Sequence, residues 1–261
     1  MIYTKKVFCY IVMMISFLVI SSGALPVMAE TKAECPDAMD IQNKIRSMFK
    51  KDVEVVGVLQ TKIPGLCEIR TKLQNKYNVF YMDMKSEYLF IGNIYEIDTK
   101  KNLTKEILYE LNRLSKEDMK RLEDLVVFTL GDKGESFYIV TDPDCPYCEM
   151  AYPVIKKLAK SGKATVKFLL YPLAFHKDAK KKAIAITCDN KGFQGLESKY
   201  ISENQCDEGT FKVEKSIQLM NEIGVNGTPI YIFKSGRIHS GAITDEETFL
   251  KNIEETTGLS N

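Results

Sequence analysis

The stretch FYIVTDPDCPYCEMAYPVI, Phe137 to Ile155, decides the reading of this chain. It opens on a run of β-formers, breaks at Asp142-Pro143, and then places C-P-Y-C at the start of an apolar-patterned helix. Cys145 falls at the helix N-terminus, where unpaired backbone N–H groups and the positive end of the macrodipole stabilise a thiolate. Pro146 suits the first helical turn, because it has no N–H to leave unpaired and its φ is preset. Cys148 follows one turn later on the same face, so the two sulfurs can close a small ring. Cys145 is therefore expected to attack and Cys148 to resolve the mixed disulfide that forms. Tyr147, between them, is expected to contact substrate.

Outward from this point the pattern alternates. After the C-P-Y-C helix come the strand ATVKFLLY, a helical stretch from Asp178 to about Met220, the hairpin IYIFKSGRIHSGA and a last helix from about Asp245 to Glu255. Such alternation argues for an α/β unit around a central sheet. Gly227-Thr228-Pro229 directly precedes the strand IYIF, a good place for a cis X-Pro bond. Upstream, VEVVGVL, CEIRTKL, YNVFYMDM and YLFIGNIYEI read as a small antiparallel sheet preceded by an amphipathic helix over Asp37 to Lys50. Between the two units, LTKEILYELNRLSKEDMKRLEDL reads as a polar linker helix that starts near Asn102 and Thr104.

The first residues put Lys5 and Lys6 ahead of an apolar run from Val7 to Ile20 and end on Val27 and Ala29. That is the pattern of a cleavable secretory signal cut after Ala29, with an apolar core shorter than the roughly 20 residues a membrane span needs. The expected parts are thus a signal over 1–29, an N-terminal domain over 30–101, a linker over 102–124 and a catalytic domain over 125–261. The whole chain has 36 basic and 35 acidic residues, a formal charge of +1 that becomes −1 once Lys5 and Lys6 are removed. Nothing in that balance suggests nucleic acid or an anionic membrane as a partner.

Export also removes Cys9 and leaves Cys35, Cys67, Cys145, Cys148, Cys188 and Cys206, an even number that favours disulfides. Zinc is the competing use of C-x-x-C, but a second close ligand pair is missing. Cys188 and Cys206 are 18 residues apart, and the histidines are His176 and His239 alone. No metal and no cofactor beyond the dithiol is expected. His176, followed by lysines, reads as part of a solvated basic face; Asp142 and Asp144 read as turn residues. The position six residues before Cys145, on the strand leading to it, is the apolar Ile139, so no buried carboxylate relays protons from there.

Taken together, SFYIVTDPDCPYCEMAYPVIKKL, VKFLLYPLAF, GVNGTPIYIFKSGRI and, upstream, IPGLCEIR, EYLFIGNIYEID and NLTKE resemble the bacterial periplasmic disulfide isomerases of the DsbC/DsbG type, within the thioredoxin superfamily. The resemblance implies an α+β N-terminal dimerisation domain, a helical linker and an α/β thioredoxin-fold catalytic domain with a helical insertion. It implies a V-shaped homodimer acting on misfolded exported client proteins, re-reduced by a membrane electron donor of the DsbD type. Carried over by position, Thr228 and Pro229 form the substrate-binding loop beside the cysteines, with Thr228 offering backbone hydrogen bonds to an extended client. Cys188 and Cys206 become the structural disulfide. Cys35 and Cys67 depart from the family pattern; their natural reading is an additional disulfide with each other, free thiols being the alternative. Pro146-Tyr147 replaces the Gly-Tyr of many isomerases and occurs both in the DsbG-like branch and in glutaredoxins, which leaves substrate preference open; a DsbG-like reductase of single sulfenylated cysteines is the runner-up function. A non-enzymatic thiol holdase or copper-handling protein is the rival outside enzymes.

Overall fold

A computed structural model describes residues 34–50 and 52–257; the expected signal over 1–29 lies outside the described residues. The N-terminal part begins with helix α1 (Ala38–Phe49), capped by the Asp37 carboxylate on the Met39 N–H and ended by Lys50 in the left-handed region. Strands β1 (Glu54–Gln60), β2 (Leu66–Leu73), β3 (Lys76–Asp83) and β4 (Leu89–Phe90) form one antiparallel sheet in that order. Ile41 and Ile45 of α1 pack on Cys67, Ile69 and Met82. Gln42 bridges to β1 at both ends of its amide, donating to the Val53 carbonyl and accepting from the Val55 N–H. The expected strand YLFIGNIYEI is broken: β5 (Tyr95–Glu96) leaves the sheet and pairs with β6 (Lys101–Asn102).

The expected single linker helix is also two helices, α2 (Leu103–Leu111) and α3 (Lys116–Asp124). Asn102 caps the first through the Lys105 N–H, and Ser115 caps the second through the Asp118 N–H. Between them Leu114 donates its N–H to the Gly236 carbonyl. Nor is the segment a bare tether, since Leu114, Leu122 and Leu125 are buried in the core of the sheet that follows.

That second sheet contains β7 (Phe128–Leu130), β8 (Glu135–Thr141), β9 (Ala164–Leu170), β10 (Ile230–Phe233) and β11 (Ile238–Ser240), in the order β11-β10-β8-β9-β7. Only β8 and β9 run parallel, joined by the crossover helix α4 (Pro146–Lys160). The stretch expected to be helical to Met220 resolves into α5 (Ala179–Cys188), α6 (Gly192–Glu197) and α7 (Asp207–Glu222), and α8 (Glu246–Thr257) closes the described chain.

The strands are buried on both faces, and their period of two sorts the residues. Phe137, Ile139, Val166, Phe168, Leu170, Tyr231 and Phe233 share a core with α4, α5 and α8. Tyr138, Val140, Leu169, Ile230 and Ile232 share another with Leu122 of α3 and Leu219 and Met220 of α7. The result is a three-layer α/β unit whose α4 N-terminus lies at the C-terminal end of β8, the usual place for a functional site in such sheets.

Candidate active site

Cys145 is the N-cap residue of α4. Asp142 sets its position, because the Cys145 N–H donates to the Asp142 carbonyl at 3.1 Å while the Cys145 carbonyl receives the N–H groups of Cys148 and Glu149 at 3.1 and 3.3 Å. Cys145 and Cys148 carry free thiols, and the one-turn spacing puts both on the sheet-facing side of α4. Cys148 is completely buried whereas Cys145 keeps 3% of its surface open. Of the two, Cys145 alone reaches solvent, though it is far less exposed than a bare helix end would leave it. Tyr147 points the other way and is exposed.

The second element arrives from 83 residues along the chain. The Thr228–Pro229 peptide is cis, and the Cys145 thiol lies 3.4 Å from the Thr228 carbonyl oxygen as donor. Pro229 heads β10, its carbonyl taking the Gly241 N–H at 3.0 Å, so the hairpin to β11 fixes the loop from behind. The Thr228 side chain is buried beside the two sulfurs and lowers the pKa of each.

These surroundings drive the two thiols apart. A hydrogen bond from the Cys148 thiol, then Thr228 and the backbone N–H groups of Cys148 and Tyr147, bring Cys145 down to about 5 against the cost of burial. Burial, then the hydrogen bond given to Cys145, pushes Cys148 well above the ordinary thiol range; Thr141, Thr228 and the Asp142 backbone counter only part of it. A thiolate at Cys145 beside a neutral thiol at Cys148 is the state needed for nucleophilic attack on a disulfide by the first sulfur alone.

Beneath the turn lies a cluster that local patterning understates. The Asp142 carboxylate is wholly buried and accepts from the N–H groups of Asp144 and Leu173, both at 2.7 Å, and pairs with His176 Nδ1 at 2.8 Å. Asp144 pairs with Lys182 at 2.5 Å. His176 is thus not merely part of a solvated basic face, and Asp142 is more than a turn residue: it ties the reactive turn to the segment after β9. The sequence signal that could have shown this is the repeated occurrence of acids before the cysteine with His and Lys after β9.

The remaining cysteines are bonded as Cys35–Cys67 and Cys188–Cys206. The first holds the chain entering α1 to β2. The second joins the end of α5 to the N-cap of α7, so closely that a Cβ on Gly209 would lie 2.5 Å from the Cys188 sulfur. Among the described residues no group of three or more His, Cys, Asp or Glu side chains is gathered as metal ligands, and no helix is long and apolar enough to cross a membrane.

Comparison with known proteins places both parts. Residues 32–105 match the family model for the disulfide bond isomerase protein N-terminal domain, and residues 123–257 match that for the thioredoxin-like domain. A probable thiol:disulfide interchange protein DsbC of Bordetella pertussis is 25% identical over 221 residues, 83% of this chain and 74% of the relative. The thiol:disulfide interchange protein DsbC of Pasteurella multocida is 22% identical over 77% of this chain and 85% of its own. The DsbG protein of Pseudomonas aeruginosa is 22% identical over 77% and 83%. With a dithiol at the head of α4, a cis-proline loop against it and both domain models matched in order, the chain belongs to the DsbC/DsbG family of thiol:disulfide interchange proteins within the thioredoxin superfamily.

Proposed function

We propose that this thiol:disulfide oxidoreductase is a protein disulfide isomerase of the periplasm, exported by a signal over residues 1–29, that rearranges incorrect disulfides in exported proteins. The observation that carries the reading is the pair of opposed thiols against the Thr228 carbonyl. In the proposed cycle the Cys145 thiolate attacks a client disulfide, forming the Cys145–client bond and releasing one client sulfur as a thiolate. That thiolate attacks elsewhere in the client, or Cys148 displaces the client and leaves the enzyme oxidised. A membrane electron donor of the DsbD type would return the dithiol to its reduced form. Thr228 and Pro229 hold the client segment next to Cys145, and Tyr147 contacts it.

The proposed organisation is an N-terminal dimerisation domain over 30–101, a linker over 102–124 and a catalytic domain over 125–261. Dimerisation is supported by the exposed apolar side chains Tyr88, Phe90, Ile91, Tyr95 and Ile97, which lie in and around the short edge strand β4. Holding of unfolded chains between two such subunits belongs to the same reading.

The decisive experiment is trapping. Cys148→Ala protein should accumulate mixed disulfides with clients in cells, Cys145→Ala protein none, and only the unaltered protein should restore activity to a scrambled multi-disulfide substrate. A Cys148→Ala protein without adducts would sink the assignment. The Pro146-Tyr147 dipeptide, with the similarity to a DsbG protein, favours one second reading, a reductase of sulfenylated single cysteines. Turnover of a sulfenic-acid peptide faster than of scrambled substrate would select it.

A further inference from the structure

The resolving sulfur has a problem of charge. When Cys148 attacks a mixed disulfide it must give up its proton and carry developing negative charge in a site that is fully closed to water. The strand before the turn offers no carboxylate to take that proton, since Ile139, six residues before Cys145, is buried and apolar. Asp142 is buried nearby, but its carboxylate oxygens are taken by Asp144, Leu173 and His176.

What serves the sulfur instead is hydroxyl-bearing: Thr141 and Thr228 both ease its ionisation, and Thr141 is in turn paired with Tyr152. Thr141 is the last residue of β8 and lies on the same sheet face as Phe137 and Ile139, the face covered by α4. Tyr152 lies one turn after Cys148 on α4, at i+4, and so stands directly beneath it. Thr141 Oγ1 and Tyr152 Oη are 3.3 Å apart and both residues are buried, Tyr152 to 5% exposure and Thr141 entirely. The edge-on contact of the Tyr152 ring with Phe193, centroids 5.1 Å apart, fixes where the hydroxyl sits. Thr141 eases ionisation of Cys148, and Tyr152 is itself held protonated, first by burial.

We propose that Tyr152 is a positioning residue for the resolving step: its hydroxyl donates to Thr141 Oγ1 and thereby commits the single Thr141 proton to the Cys148 sulfur. In that step the Cys148–Cys145 bond forms and the Cys145–client bond breaks. The electron pair leaves on the client sulfur, which takes up the proton that Cys148 releases and departs as a thiol. The Thr141 hydroxyl supplies the hydrogen bond that the charged sulfur needs in transit, and Tyr152 keeps that hydroxyl from turning to a backbone carbonyl. This inference rests on the proposed roles of Cys145 and Cys148.

The test uses the reduced full-length protein with oxidised glutathione, following the glutathionylated intermediate by acid quench and mass measurement. Tyr152→Phe and Thr141→Val should both let the intermediate build up, with resolution slowed at least about tenfold in Thr141→Val, as expected for one lost hydrogen bond to a charged group. Thr141→Ser, which keeps the hydroxyl, should resolve within about twofold of the unaltered protein, and alkylation of Cys145 should be unchanged in all three. Resolution at the unaltered rate in Tyr152→Phe overturns the proposal, as does a Thr141→Ser variant as slow as Thr141→Val, which would assign the effect to packing. Absence of any glutathione adduct on Cys148→Ala protein would instead overturn the roles of the two cysteines.

Discussion

At the scale of single residues, the opposed thiols lead to a pH dependence whose sign is fixed. Cys145 is a depressed acid, so its thiolate is present above about 5 and is lost as the pH falls through that value. Alkylation of reduced protein by iodoacetamide should therefore stay fast from pH 8 down to about 6 and fall away near 5, whereas a free cysteine fades below about 8.5. The same shift makes the reduced protein gain stability as pH rises from about 5 to about 8.5, because over that range the unfolded chain binds more protons than the folded one. Above about 8.5 the raised Cys148 acts in the opposite direction, since only the unfolded chain then ionises it. Asp142 gives a second residue-scale expectation. Asp142→Ala should cost about 2–4 kcal/mol in urea unfolding of the oxidised protein, because buried N–H groups at Leu173 and Asp144 lose their acceptor. The cysteines were legible because their signal is local: a strand, a turn and a helix start within twenty residues. Asp142 was legible only as a turn former, because its partners Leu173 and His176 stand 31 and 34 residues away.

At the scale of elements, the break between α2 and α3 shows where patterning misleads. Leu103, Ile107, Leu111 and Leu114 keep helical spacing through the break, so hydrophobic period alone reads one helix. The local cue was Ser115 with Asp118, a reciprocal cap in which Ser115 Oγ accepts the Asp118 N–H at 3.0 Å and donates to the Asp118 carboxylate at 2.7 Å. The tertiary cause is the β10–β11 turn. Gly236 has φ +82°, and a Cβ there would lie 2.7 Å from the Leu114 carbonyl oxygen. Gly236→Ala should therefore cost about 1–3 kcal/mol in thermal or urea unfolding, through both the backbone conformation and the collision. An equal substitution at Gly227, where a Cβ meets nothing within 4 Å, is the control and should cost under about 1 kcal/mol. The alternation of β8 and β9, by contrast, was legible throughout, because strands buried on both faces read as continuous apolar runs in any context.

At the scale of the whole molecule, the question is which part of the chain can work alone. The N-terminal sheet is small, and its core of Ile41, Ile45, Val53, Cys67, Ile69 and Met82 is closed by the Cys35–Cys67 bond and flanked by exposed apolar side chains from Tyr88 to Ile97. A core of that size gains from a partner, so the proposed homodimer should appear in sedimentation of the full chain and be lost when this part is removed. The cut must respect the linker. Leu122 is fully buried in the catalytic core, Arg121 pairs with Glu222, and Arg237 pairs with Glu106 and Glu110 of α2. A fragment of residues 102–261 should thus fold as a monomer, alkylate at Cys145 like the full chain, and reduce small disulfides, while its activity on scrambled substrate falls at least about tenfold for want of a second holding surface. A fragment of residues 125–261 lacks Leu114 and Leu122 and should be less stable than 102–261 by about 2–5 kcal/mol in urea unfolding. Undiminished isomerase activity in the monomeric 102–261 fragment would remove the case for a dimer as the working unit, and equal stability of the two fragments would return α3 to the status of a tether.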